Sequence, residues 1–393
     1  FGSTVIHGLR DVESVYIYGK ICWKKGDLYD SRKVEETRKL LMDSGLFSSV
    51  LITHPEGADE KGELLLNIEV AESKHQSVNL GVSYQTFWGP GITFGWEHRN
   101  ISGLGRRLSI QGDITKKSHS GTATFMLSDF KRQGQDYIWE AIAMQEKIRA
   151  YQERSYSLAN RYEIKLSTRL RLAVALKAER LFVTESVDNN IYTILEVPLY
   201  LRLSNSNSLL NPTKGLSLEY WATPAVAQAS SKRDFYLMQE LVQSSYFPLT
   251  HSHNVVLAQK ITFGTILSDR LSDVPVPKRF FGGSEENLRG YHFYTVSPLE
   301  GQTPIGGRSA LFYTLEMRFR ATQTIGLVPF FDMGNVYLTQ LPTFKKKWFK
   351  SVGLGLRYFT FMGPFRVDIG FPLERRKGLD PAFRILVSIG QMF

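Results

Sequence analysis

Residues 351–373, SVGLGLRYFTFMGPFRVDIGFPL, decide the fold. Val352, Leu354, Leu356 and Tyr358 alternate with Gly353, Gly355 and Arg357. After the turn TFMG, Phe365, Val367, Ile369 and Phe371 alternate with Arg366, Asp368 and Gly370. A period of two belongs to an extended strand, whose successive side chains point to opposite faces. Here one face is wholly apolar and the other is charged or bare glycine. The same rule runs through Val78, Leu80, Val82 and Tyr84, and through Ile92, Phe94 and Trp96. It returns at Val197, Leu199, Leu201 and Leu203, and at Leu311, Tyr313, Leu315 and Met317, which oppose Thr314, Glu316 and Arg318.

Alternation fits a soluble sandwich with its apolar face inward, or a membrane barrel with that face outward. Two features choose the barrel. The segments run about 9 to 12 residues, the length a tilted strand needs to cross a bilayer. Short turns (NISGLG at 100–105, NPTKG at 211–215, TFMG at 360–363) also alternate with longer loops (about 267–308, and LTQLPTFKKK at 338–347). The reading is mainly β: a transmembrane antiparallel barrel over 75–393 with roughly 16 strands, the even number of a single-chain barrel. Its closing strand, FRILVSIGQMF, ends on Phe393.

Composition agrees. No continuous apolar run approaches the 18 or so residues of a membrane helix. Aromatics are 12% of the 393 residues, enough to supply interfacial girdles. The formal charge of +10 raises a nucleic-acid reading, but the Lys and Arg are scattered, so no nucleic-acid partner is expected. Basic loops facing lipid phosphates, or plain solubility and lumen lining, account for them better. The single Cys22 excludes an internal disulfide. The start, FGSTVIHGL, lacks a signal peptide, as expected of a processed or truncated form.

Residues 1–74 break the period-two rule and read as a small α/β domain. GDLYDSRKVEETRKLLMDSG (26–45) is a helix with Asp30 as its N-cap and Gly45 just past its end. Val34, Leu40 and Leu41 supply its apolar face. Phe47–His54 reads as a strand with Val50 and Ile52 on one side. Gly62–Val70 reads as another, carrying Leu64, Leu66, Ile68 and Val70. A small sheet with an open edge can accept a strand from a passing peptide; a rigid spacer is the alternative.

The segment 267–308 holds no sustained alternation, and at its centre lies RFFGGSEENLRGY, Arg279–Tyr291. A loop of this length in a compact fold is usually functional. If it folds into the lumen, Arg289 leaves bulk water and needs acidic or carbonyl partners. Glu316 in LEMRF and Asp332 in FFDMGNVY are the candidates on the strands that follow.

These stretches together resemble the BamA/TamA outer-membrane assembly superfamily (bacterial surface antigen family). Its loop hallmark, a hydrophobic residue followed by Arg-Gly-aromatic, matches Leu288, Arg289, Gly290 and Tyr291. Gly26, Asp27, Tyr29, Gly45, Leu46, Phe47 and Val50 resemble a POTRA (polypeptide-transport-associated) domain. NISGLG, NPTKG, the loop motif, FFDMGNVY, GPFRVDIGFPL and the terminal Phe393 follow in the family's order over nearly the whole chain. The pattern looks closest to TamA, with one POTRA domain where TamA and BamA carry several. The resemblance implies a clamp of Arg289 by Asp332 and Glu316. Gly290 would then allow close backbone approach, Tyr291 would pack on the wall, and Gly282 and Gly283 would bend the loop behind Arg279.

The implied location is a bacterial or organellar outer membrane, with the POTRA domain in the periplasm. The implied function is insertion or export of other proteins through a lateral seam between the first and last strands. Val78, Leu80 and Val82 would lie on one side of that seam. Ile385, Val387, Ile389, Gly390 and Phe393 would lie on the other, with Gly390 weakening the edge. Expected partners are unfolded outer-membrane or autotransporter clients, outer-membrane lipid including lipopolysaccharide, and a periplasmic or inner-membrane protein docked on the POTRA domain. The alternatives are a passive channel or two-partner-type secretion pore plugged by residues 279–291, and a structural anchor. No enzyme activity, cofactor or metal is expected. There is no GxSxG elbow and no Cys cluster, the Gly282-Gly283 pair lacks the following Lys-Ser/Thr of a phosphate loop, and His251 and His253 sit in a polar turn.

Overall fold

The computed structural model describes residues 1–57, 59, 62–185, 188–230, 232–345, 347–360 and 363–389. Two compact units make up the chain: residues 1–80 with 94–111 and 122–140, and residues 81–93 with 112–121 and 141–393.

The first unit opens with a small α/β domain. Its elements are β1 (Thr4–His7), α1 (Ser14–Tyr18), α2 (Ser31–Asp43), β2 (Phe47–Thr53) and β3 (Leu66–Glu72). The sheet order is β1-β3-β2, with β1 parallel and β2 antiparallel to β3. Helix α2 starts where Asp30 accepts the Arg32 amide at 2.9 Å and stops before Gly45, whose φ of +70° suits glycine just past a helix end. Leu41 packs against Ile17, Leu46, Phe47, Leu66 and Ile68, all under 4% exposed. The sequence reading missed β1 and α1, whose four and five residues are too short for periodicity to show. It also began the second strand at Gly62. The strand starts at Leu66, because the turn runs on: the Glu63 amide donates to the Asp59 carboxylate at 2.7 Å, and Gly62 has φ +76°.

Glu72 ends β3 as a cap for a neighbouring turn. Its carboxylate accepts the amides of Arg10 (2.7 Å), Asp11 (3.1 Å) and Val12 (3.0 Å), and faces His75 Nε2 at 3.0 Å. Burial alone would push this carboxyl up; the amides and His75 outweigh it and hold it below the usual range. A depressed folded value means stability that is present above the unfolded pKa of about 4.3 and lost as pH falls through the folded one. Glu72→Gln should therefore lower domain stability by about 1–2 kcal/mol at pH 7. The gap from wild type should close in acid, as read by denaturation at both pH values. A pH-independent gap would show that the carboxylate's charge is irrelevant. In the same unit, Asn100 closes the NISGLG turn, accepting the Gly105 amide at 3.0 Å and donating to Asp11 O at 2.9 Å.

The barrel strands follow in chain order. They are β4 (Gln76–Gln85), β5 (Gly89–Ile101), β6 (Arg106–Thr115), β7 (Ser118–Leu127), β8 (Gln135–Lys147), β9 (Gln152–Lys165), β10 (Leu170–Glu185), β11 (Asp188–Glu196), β12 (Leu199–Ser204), β13 (Gly215–Ala229), β14 (Lys232–Pro248) and β15 (Val255–Leu267). A two-stranded hairpin, β16 (Leu299–Glu300) and β17 (Thr303–Pro304), lies within the long loop. Then come β18 (Ser309–Arg320), β19 (Ile325–Tyr337), β20 (Phe349–Thr360), β21 (Gly363–Pro372) and β22 (Arg384–Ile389). All but the hairpin close into one ring in which β22 returns to β4.

Segments β11 and β12 are halves of one strand. Both lie between β10 and β13, parted at Val197-Pro198. Proline has no N–H for the ladder. Its carbonyl still accepts the Ala175 amide at 2.9 Å, and the Val197 amide reaches Pro224 O at 3.0 Å, so the pairing runs through the break. Among the described residues, the seventeen ring segments thus make sixteen strands, as the sequence suggests.

Polarity is inverted relative to a soluble fold. Leu354, Leu356 and Ile385 are 47–52% exposed, while Glu316, Asp332, Arg357 and Asp368 are fully buried. An exposed apolar band of this extent is stable against lipid, not water. No helix among the described residues is long and apolar enough to cross a membrane.

Candidate functional site

Residues 268–308, between β15 and β18, fold into the lumen. The loop's root is closed by the Ile266 amide on Arg308 O (2.6 Å) and by paired bonds between Phe280 and Gly307 (3.0 and 2.9 Å). Arg279 braces the loop internally, donating to Val274 O and Ile305 O, each at 2.9 Å. Gly282 lies against Val296 O and the Phe312 ring, where a Cβ would come within 2.8 Å of either. Gly283, at φ +86°, takes the left-handed turn that brings the chain back toward His292. Leu288 and Tyr291 are fully buried with Val296, Ala310, Phe312 and Val336. The Tyr291 hydroxyl donates to Lys350 O at 2.9 Å, and its ring meets Phe349 edge-on.

Arg289 is the centre. It grips Asp332 three ways, through its backbone amide (3.1 Å), Nε (3.0 Å) and Nη2 (2.8 Å). Nη1 reaches Glu316 at 2.8 Å and Asp368 at 3.2 Å, and the guanidinium lies 3.4 Å from the Phe330 ring centre. Burial alone would weaken its hold on the proton; Asp332 and Glu316 outweigh that and raise its pKa. Further arginines surround the acids: Arg318 Nε donates to Glu316 at 3.0 Å, Arg357 bonds Asp368, and Arg366 lies 3.6 Å from Asp368. Ser351 donates to Asp332 at 3.2 Å.

The structure thus brings together Arg289, Glu316 and Asp332 from the sequence candidates, and adds Asp368, Arg318, Arg357, Arg366 and Ser351. Arg318 stands on β18, two residues after Glu316, and Ser351 is an uncharged residue of β20; the signal for Arg357, Arg366 and Asp368 was present as charges on the glycine face of β20 and β21. Glycine is needed there because the loop backbone lies on the strand. A Cβ on Gly370 would come within 3.0 Å of the Arg289 carbonyl carbon, and one on Gly290 within 2.6 Å of the Pro372 nitrogen. Gly290→Ala should therefore lift the loop from the wall and cost about 1–3 kcal/mol, seen as a lower unfolding temperature of the refolded barrel. An unchanged temperature would show that the loop seats without that close approach.

A second anchor escaped the sequence reading. Lys278 reaches Glu179 at 2.7 Å on β10 and Glu196 at 3.2 Å on β11, alongside Lys177. Burial would lower the Lys278 pKa; Glu196 and Glu179 more than reverse this.

On the lipid face of β4, Val78, Leu80 and Val82 are 61%, 77% and 83% exposed; on β22, Ile385 is 47% exposed and Val387 half-buried. The Val387 amide donates to Thr86 Oγ1 at 3.0 Å, just past β4. Ile389 ends β22, opposite Phe365. Gly390 and Phe393 lie outside the described residues. The long loop touches both borders of this seam. Glu285 accepts the Phe87 amide at 3.3 Å and Phe293 stacks on Phe87 at 3.5 Å, while Arg384 donates to Tyr291 O. Among the described residues, Asp11, Glu72 and His75 group ligand-type atoms within 4.8 Å, but the amides described above occupy Glu72.

Fold and site together define an outer-membrane β-barrel protein whose longest loop is drawn inside and pinned by one buried arginine. The profile of the Omp85 superfamily domain matches residues 100–393, and that of the POTRA surface antigen variable number repeat matches residues 1–73. The chain belongs to the Omp85 superfamily. It is an outer-membrane protein with a periplasmic POTRA domain. It is 26% identical over 386 residues to outer membrane protein assembly factor BamA of Nitratidesulfovibrio vulgaris, covering 94% of this chain and 48% of that protein. It is 23% identical over 400 residues to BamA of Neorickettsia risticii, covering 95% and 52%. The chain spans about half the length of the curated relatives it matches. Its fold resembles Haemophilus ducreyi BamA lacking POTRA domains 1–3 (TM-score 0.86, 17% identity, 99% of this chain, 84% of that one). CdiB from Acinetobacter baumannii shares the fold more loosely (TM-score 0.63, 13% identity, 99% and 73%). These likenesses run to BamA and show no particular nearness to TamA.

Proposed function

We propose that this chain assists insertion or export of other outer-membrane or autotransporter proteins, non-enzymatically, by opening the seam between β4 and β22. The observation that carries the reading is the long loop's double attachment. Its 285–295 segment holds Phe87 on the first-strand side and Arg384 on the last-strand side, while Arg289 fixes it to the wall between. Among the described residues, strand β22 pairs with β21 from Arg384 to Ile389. Parting β22 from β4 exposes unpaired backbone groups, and such an edge templates an incoming strand. The loop's contacts then set the cost of opening. Supporting the reading, the relatives of similar sequence are assembly factors by name.

The test is refolding the purified chain into lipid vesicles and timing the insertion of an unfolded barrel protein, with conductance recorded on the same sample. Faster insertion with little conductance is expected. A stable pore without acceleration would sink the proposal. That outcome would favour the second reading, a channel plugged by the loop. A cavity of about 440 Å³ that remains beside Phe280 and Glu286 in the lumen supports this second reading.

A further inference from the structure

The described part of the loop at residues 338–345 and 347–348 lies on the outside of the barrel, not over its mouth. Thr265 and Ser309 are directly paired and continue the outward rows of Ile261 and Phe263 on β15 and of Leu311 and Tyr313 on β18. Thr265 Oγ1 donates to Gln340 O at 2.6 Å, and Ser309 Oγ donates to Thr339 O at 2.8 Å. Gln340 Nε2 donates to Ser268 O at 2.7 Å, and Arg308 Nε to Leu338 O at 2.9 Å. The loop is therefore strapped to the lipid-facing wall, at the rim where the barrel's long loops emerge. In outer-membrane barrels the long loops are extracellular, so this rim meets the outer leaflet.

What the loop shows to its surroundings is amphipathic. Leu341 is 60% and Phe344 63% exposed, and the Phe344 ring stacks against Trp348 at 6.1 Å. Lys345 is exposed, and the Lys347 side chain is 76% exposed although it also pairs with Glu374. Lys350 stands on the outward row beside Met333. Large apolar side chains this exposed, on a lipid-facing wall and flanked by lysines, have the composition of an interfacial anchor. Aromatics sit at headgroup level and long basic side chains reach the phosphates.

We propose that residues 338–345 and 347–350 form a lipid-binding site for the phosphate-bearing glycolipid of the outer leaflet. Leu341, Phe344 and Trp348 enter the acyl boundary, and Lys345, Lys347 and Lys350 meet the lipid phosphates. The inference rests on the barrel's place in the outer membrane and is independent of the assembly activity.

The test uses the full chain in phosphatidylcholine nanodiscs titrated with fluorescent diphosphoryl lipid A, comparing wild type, Lys345→Gln/Lys347→Gln and Leu341→Ser/Phe344→Ser. Heat-modified gel mobility reports that each barrel is folded. The lysine variant should bind lipid A at least about tenfold more weakly, from the loss of two charges near a phosphate surface. The apolar variant should also weaken binding, and inorganic phosphate should not compete. Unchanged lipid A binding in the lysine variant would overturn the proposal. So would competition by inorganic phosphate, which would mark a free-anion site instead.

Discussion

Arg289→Ala should lower the stability of the refolded barrel by about 3–5 kcal/mol, the usual consequence of removing one partner from a buried ion pair. The reason is local and not a matter of net charge. Glu316 keeps Arg318, and Asp368 keeps Arg357 and Arg366, after the change. Asp332 loses all its bonds from the arginine side chain and retains the backbone amide of residue 289 at 3.1 Å and Ser351 at 3.2 Å. A buried carboxylate stripped of its guanidinium partner and left with neutral donors is costly. Asp332→Asn in the same chain should therefore recover part of the loss, and the double-mutant cycle should show coupling. Arg289→Lys should fall between, since an ammonium cannot reproduce the two-pronged grip or lie flat on Phe330. Because the same loop segment holds Phe87 and Arg384, the alanine variant should also loosen the seam and raise leak conductance. Wild-type melting and conductance in Arg289→Ala would show that the clamp carries neither stability nor loop position.

A disulfide across the seam should reduce client insertion to the rate seen with empty vesicles while leaving the barrel folded. Cysteines would be placed on β4 and β22 beside the Thr86–Val387 contact, in a Cys22→Ser background so that only the engineered pair can form. The lock prevents backbone exposure at the edge, which is the step the proposed mechanism needs, and it leaves the lumen and the Arg289 cluster unchanged. Reductant should restore activity in the same sample, which separates a locked seam from a damaged barrel. Full activity in the oxidised protein would refute lateral opening. Loss that reductant fails to reverse would point to a misfolded variant, and a neighbouring cysteine pair would then replace it.

Much of this was legible before any coordinates. The alternation at Val352–Tyr358 and Phe365–Phe371 assigns lipid and lumen faces residue by residue, and exposure follows those rows. Asp30 and Gly45 mark the ends of α2 as written. The loop's unusual composition marked the stretch 279–291, and the resemblance of Leu288-Arg289-Gly290-Tyr291 to the superfamily's loop hallmark singled out Arg289. What escaped was of two kinds. Very short elements such as β1 carry too few residues for a period to register. Partners such as Asp368 and Lys278 looked like ordinary lumen charges, because nothing local distinguishes them.

The sequence by itself determined the barrel, its two faces and the place of the long loop, because a period of two and a break in it are local properties of the chain; the loop motif's resemblance to the superfamily pointed to the arginine. Only the tertiary structure decided which acids meet that arginine. Asp332 and Asp368 lie 43 and 79 residues from Arg289 along the chain. They arrive at one height in the lumen through the strand registers of β18 to β21, which pair Thr314 with Asp332, Asp332 with Ser351 and Gly355 with Asp368. Register is set by the summed packing of whole strands and the backbone ladder between them, so the site is a property of the closed ring.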